Sequence, residues 1–183
     1  MNRTALFMKS FIYKETGDTA NAIILLRKVC DYYPEFADAF EELGTLYVNH
    51  HDPLGIDYLN TVIRLKPKST NARYNIAMFY QETGDIKKAE EYYKQILDID
   101  SGHKYAWHNR GYIQMFAYSN FAEAAEYFTK AIQCDSNFIE AWTNRGYAYE
   151  LNGEKAKAHQ DYTTAVNLDG TYSQALEGFE RTR

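Results

Sequence analysis

The sequence predicts an all-α chain, an array of five helix pairs closed by a short C-terminal helix. Three observations carry that expectation. A small residue recurs at Ser10, Gly44, Ala77, Gly111 and Gly146, in steps of 34, 33, 34 and 35 residues. A second small column, Ala22, Gly55, Ala89, Ala124 and Ala158, repeats at 33, 34, 35 and 34. Aromatic residues accompany both columns at spacings of three and four, the mark of one helix face. Two columns that drift together by single residues define an internal repeat, and a repeat of that length decides the architecture first.

Each unit reads as helix, tight turn, helix. The first, about residues 3–36, is the least regular, with Leu6, Lys9 and Ser10 in slots held elsewhere by an aromatic, a leucine and a glycine. The second, 37–69, carries Phe40-x-x-Leu43-Gly44-x-x-Tyr47. In the third, 70–103, Arg73 stands at the aromatic slot, and the second helix shows Ala89-x-x-x-Tyr93. The fourth, 104–138, puts Gln114 where tyrosine recurs, gains a residue in Ala117-Tyr118-Ser119-Asn120, and continues as Ala124-x-x-x-Phe128. The fifth, 139–172, reads Trp142-x-x-Arg145-Gly146-x-x-Tyr149, then Ala158-x-x-x-Tyr162. Residues 173–183 read as a capping helix with Ala175, Leu176 and Phe179 turned inward and Glu180, Arg181 and Arg183 outward.

Gly17-Asp18, Gly84-Asp85 and Gly153-Glu154 mark the turns. Glycine there permits the positive φ that closes a helix, and the acid favours the next helix start. Pro34, Pro67, Ser101, Ser136 and Gly170 close the units in register. The small columns mark where two helices cross closely, and Tyr and Phe fill the wedge between them. Lys9, Arg110 and Arg145 occupy the leucine slot, where a long stem packs while its charge stays in water.

Composition excludes several functions. A net charge of −5 and no dense Lys/Arg run argue against nucleic acid as a partner. No apolar run is long enough to span a membrane, and Met1-Asn2-Arg3-Thr4-Ala5-Leu6 lacks an export signal, so no membrane insertion and a cytoplasmic location are expected. Cys30 and Cys134 are read as small buried hydrophobes without a disulfide. His50-His51-Asp52 reads as a solvated turn, His103 as part of a connection and His159 as lying on an exposed helix surface. Neither a catalytic constellation nor a cofactor or metal site emerges.

The frame in residues 37–69 and 139–172 resembles the tetratricopeptide repeat family, and the likeness extends over nearly the whole chain. It implies a right-handed superhelical solenoid of antiparallel helix pairs, a single domain over 1–183, and a non-enzymatic scaffold for proteins or peptides. By the family's pattern, first helices line the concave face. The positions that match are Glu41 and Thr45; Asn71, Tyr74, Met78 and Gln81; Tyr105, His108, Tyr112 and Met115; and Glu140, Thr143, Tyr147 and Glu150. A partner segment with apolar anchors and neutral-to-basic flanks is expected along Tyr74, Met78, Tyr112 and Tyr147. Asn75, Asn109 and Asn144 fit an asparagine slot of the members that clamp a terminal carboxylate, but the cations of that clamp are missing. Acidic C-terminal tails are therefore not expected as ligands. The alternatives are self-association through the first unit, by poorly covered Leu6, Phe7 and Phe11, or service as the repeat module of a larger protein.

Overall fold

The computed structural model describes residues 2–183, and these are all-α, with eleven helices. In chain order they are α1 (Arg3–Glu15), α2 (Thr19–Tyr32), α3 (Ala37–Asn49), α4 (Leu54–Leu65), α5 (Thr70–Glu82), α6 (Ile86–Ile99), α7 (Lys104–Phe116), α8 (Phe121–Cys134), α9 (Ile139–Leu151), α10 (Lys155–Leu168) and α11 (Ser173–Thr182). They gather into two compact units that divide between Tyr92 and Tyr93, within α6.

In the first unit α1 packs on α2, α2 on α3, α3 on α4, and α5 on both α3 and α4. Its core runs through Ala22, Leu26, Val29, Leu43 and Leu46, then Leu59, Val62, Ile76 and Phe79. In the second unit α7 pairs with α8 and α9 with α10, α8 packs on α9, and α11 lies against α10 and α9. Its core holds Met115, Ala124, Phe128 and Ala148, with Ala131, Ile132, Phe138 and Ala141 beside them.

Small residues sit where helices touch. A Cβ placed on Gly55 would lie 2.6 Å from the Gly44 carbonyl oxygen and 2.8 Å from the Val48 amide nitrogen, so α3 and α4 meet backbone to backbone. In the second unit the obstacle is a ring: a Cβ on Gly111 would meet Phe128 at 2.8 Å, and one on Gly146 would meet Tyr162 at 3.1 Å. Leu26, Leu59, Tyr93, Phe128 and Tyr162, each four residues past the second small column, are at most 2 % exposed.

The turns explain the repeat's drift. Gly17, Gly84 and Gly153 hold φ of +77°, +87° and +81°, and His51 and Ser119 take +56° and +55° in the two units that lack the glycine. Asp18, Asp52 and Glu154 each donate a backbone N–H to Tyr13, Tyr47 and Tyr149 O at 2.8–2.9 Å. In the unit with the extra residue the same bond runs from Asn120 to Gln114, six residues back, so the insertion is absorbed in the turn. The shortened unit instead opens α4 with i−3 bonds from Gly55 and Ile56 to Asp52 and Pro53. Asp18 caps α2 by accepting from Asn21 N, whereas Glu154 makes no such bond to α10 and instead accepts from Asn152 and Lys157 side chains.

Three expectations are corrected here. The Arg145 charge is not in water: Nε and Nη2 donate to the buried Asp161 carboxylate at 2.7 and 2.8 Å, and Nη1 donates to Thr129. Burial pushes the Asp161 carboxyl above its ordinary range, while Arg145 pulls it down. Cys134 is exposed, unlike Cys30, whose thiol burial pushes up to about 12. Leu176 faces outward at 37 % exposure, and Gly178 takes the inward position instead.

Because the Gly55 neighbours are backbone and cannot yield, Gly55→Ala should destabilise the chain by about 1–3 kcal/mol. Chemical denaturation followed by circular dichroism measures this; an unchanged midpoint would show that α3 and α4 do not meet there.

Candidate functional site

In the second unit a groove of about 660 Å³ opens between side chains of α7, α9 and α11. His108 and Tyr112 come from α7; Glu140, Thr143, Asn144, Tyr147, Glu150 and Leu151 from α9; Gln174, Glu177 and Arg181 from α11, with Tyr172 just ahead of it. Helix periodicity brings them together. His108 and Tyr112, like Glu140, Asn144, Tyr147 and Leu151, lie three or four residues apart and share a face.

His108 is half-buried between Phe128 and Phe138, with ring centroids 5.4 and 5.0 Å away. Asn144 Nδ2 lies 2.9 Å from Nε2 and Asn109 Oδ1 lies 3.3 Å from Nδ1, an arrangement that suits a neutral ring protonated on Nδ1. Burial holds the ring below the ordinary histidine value, against the Asn109 contact and the Glu140 charge, so it is neutral near pH 7. Beside it runs an aromatic strip: Tyr112 and Phe116 are 4.4 Å apart, and Phe116 and Tyr147 are 6.4 Å apart. Tyr112, Phe116 and Leu151 are 41–53 % exposed and lie together.

Of the groove's three glutamates, Glu150 is already engaged. It accepts from Arg181 Nε and Nη2, both at 3.0 Å, and from the Tyr162 hydroxyl at 2.8 Å. The Arg181 bonds, then the Tyr162 hydroxyl, hold its carboxyl below the usual glutamate value against the cost of burial.

The sequence expectation is met unevenly. His108, Tyr112, Thr143, Tyr147 and Glu150 line this groove. Met115 does not: it is 2 % exposed and packs with Ala124, Phe128 and Ala148, because its side of α7 faces α8. Thr143 lines the groove but is only 5 % exposed, and its hydroxyl donates to Ile139 O. Tyr105 lies outside the groove, edge-on to Phe138 with Lys104 over its ring.

In the first unit the expected residues fall into separate clefts. Glu41 and Asn71 share one with Lys66, Lys68 and Ser69; Tyr74 and Met78 share another with Val48, Asn49 and Glu82. Thr45 accepts from Asn75 at 2.8 Å. The asparagines of the clamp-like slot are spent on such bonds, Asn75 to Thr45, Asn109 to Tyr93 and Asn144 to His108. At the N-terminal helices the exposed large hydrophobic side chains include Met8, Ile12, Ile24 and Tyr32; Leu6, Phe7 and Phe11 are half-buried, Phe7 edge-on to Phe11 and Phe36.

Tetratricopeptide repeat models match residues 4–35, 70–103 and 127–160. The chain belongs to the tetratricopeptide repeat family. Solved structures share the fold at low identity. MamA matches at 20 % identity and TM-score 0.78, covering 94 % of each chain. PilF of Pseudomonas aeruginosa matches at 20 % and 0.81, covering 98 % of this chain and 82 % of that one. YrrB, described as a TPR protein with an unusual peptide-binding site, matches at 15 % and 0.73, covering 98 % and 92 %. Human protein O-mannosyl-transferase TMTC3 is 25 % identical over 105 residues, 56 % of this chain and 12 % of that protein. No helix among the described residues is long and apolar enough to cross a membrane.

The far wall of the groove went unseen in the sequence of this TPR chain. The reading of α11 as a cap with Arg181 pointing outward missed that Arg181 reaches Glu150, 31 residues earlier. His159, expected on an exposed surface, is half-buried, stacked 4.8 Å from Phe179 and bonded to Thr182. Gly178 seats α11, since a Cβ there would stand 2.3 Å from the Tyr162 ring.

Glu150 has a depressed folded value, so its stabilising contacts are complete above the ordinary glutamate range and are lost as pH falls through that depressed value. Lowering pH from about 6 to about 3 should release amide protection in α11 before α9. Glu150→Gln should loosen α11 already at neutral pH and remove the acid dependence. Equal protection of α11 and α9 throughout, by exchange mass spectrometry, would contradict this.

Proposed function

We propose that this TPR chain is a non-enzymatic protein-interaction scaffold and that the groove of its second unit takes a peptide segment or helix of a partner protein. The observation that carries this is the strip Tyr112, Phe116 and Leu151, left open beside a groove of about 660 Å³ that half-buried Tyr147 also lines. Aromatic side chains offer large contact area at small entropic cost and are enriched where proteins meet. A YrrB-like use of the fold, peptide binding, is consistent with it. A terminal carboxylate of the clamp type does not suit the site, because Glu140, Glu150 and Glu177 face the space and Arg181, the cation lining it, is held by Glu150. The partial match to TMTC3 supports a further possibility for the same scaffold, service as one module of a longer protein.

Tyr112→Ala combined with Tyr147→Ala should abolish capture of partners that the parent chain retains from lysate, while the helical circular dichroism signal persists. An unchanged set of partners, identified by mass spectrometry, would discard the groove.

A further inference from the structure

The groove has a charge as well as a shape. Glu150 is neutralised by Arg181, but Glu140 and Glu177 are exposed and make no ion pair among the described residues. His108 adds no charge near neutral pH, because burial keeps it unprotonated. Glu140 also makes itself felt on both sides of the space. After burial, its charge is what pushes the Tyr172 phenol up, and it pulls His108 upward as well. Unmatched carboxylates therefore line the same groove as Tyr112, whose ring is 4.4 Å from that of Phe116.

We propose that the groove selects a segment bearing lysine or arginine, with cationic side chains against Glu140 and Glu177 and apolar side chains on the Tyr112–Phe116–Tyr147 strip. The inference rests on the groove being the binding site proposed above. Its basis is charge complementarity: two carboxylates without a counter-ion repel an acidic segment, attract a cation, and act beside ring faces that also favour cations. A neutral segment gains only the apolar contacts.

Fluorescence polarisation with a labelled synthetic peptide of repeating Leu-Lys-Lys tests this, alongside versions with glutamine or glutamate in place of lysine. The lysine peptide should bind at least about tenfold more tightly than the glutamine peptide, the glutamate peptide should not bind, and the preference should shrink as salt rises. Glu140→Gln with Glu177→Gln should reduce the lysine peptide to the affinity of the glutamine peptide. Glu91→Gln with Glu126→Gln, which removes the same charge outside the groove, should leave it bound. Should the glutamine peptide bind as tightly as the lysine peptide, or the remote pair cost as much as the groove pair, cation selection is overturned. The groove itself survives that result if Tyr112→Ala with Tyr147→Ala still abolishes binding. Binding of every peptide that ignores the tyrosine pair overturns both readings. Absence of saturable binding by the lysine peptide overturns the inference alone and leaves the groove to the lysate experiment.

Discussion

The close approach of paired helices is the constraint on which everything else depends. Three of the pairs set a glycine against a large side chain four residues past the second small column. Gly111 meets Phe128, Gly146 meets Tyr162, and Gly44 lies against Leu59 and the backbone at Gly55. At Gly44 and Gly111 an added methyl group would stand under 3 Å from its neighbours, so helix separation and rotation are fixed together. Once rotation is fixed, the faces that point away from the pair are fixed too. That is why His108 and Tyr112 on α7 line the same groove as Glu140 and Tyr147 on α9.

The C-terminal helix shows the same rule used twice. Gly146 and Gly178 both lie against the Cδ1–Cε1 edge of the Tyr162 ring, so a single side chain joins α9, α10 and α11. Its hydroxyl donates to Glu150, which Arg181 grips with two nitrogens. Packing thus places α11, and an ion pair at the groove's rim holds it there. The helix that packs on α9 and α10 is also a wall of the candidate site.

The fold was legible in the sequence because a repeated physical requirement leaves a repeated residue. The small columns and the glycine turns are visible without coordinates, and even the one-residue drift has a local cause in the turns of the second and fourth units. The site was half legible. The family resemblance placed Tyr112, Tyr147 and His108 on a shared face, yet it also placed Met115 there, which packs against α8 instead. One position along a helix separates open groove from core, and spacing does not resolve that. Partners distant in sequence were invisible for a different reason. Arg145 with Asp161 and Glu150 with Arg181 pair across helices, and each occurs once in the chain, so no column announces it.

The most direct measurement of the central claim is a double-mutant cycle at one helix crossing. Gly111→Ala, Phe128→Leu and the double variant are compared with the parent by equilibrium denaturation. If the glycine exists to admit the ring, trimming the ring relieves the added methyl, and the double variant is more stable than the sum of its parts by about 1 kcal/mol or more. Strict additivity would contradict the account, since it would mean that Gly111 and Phe128 do not touch.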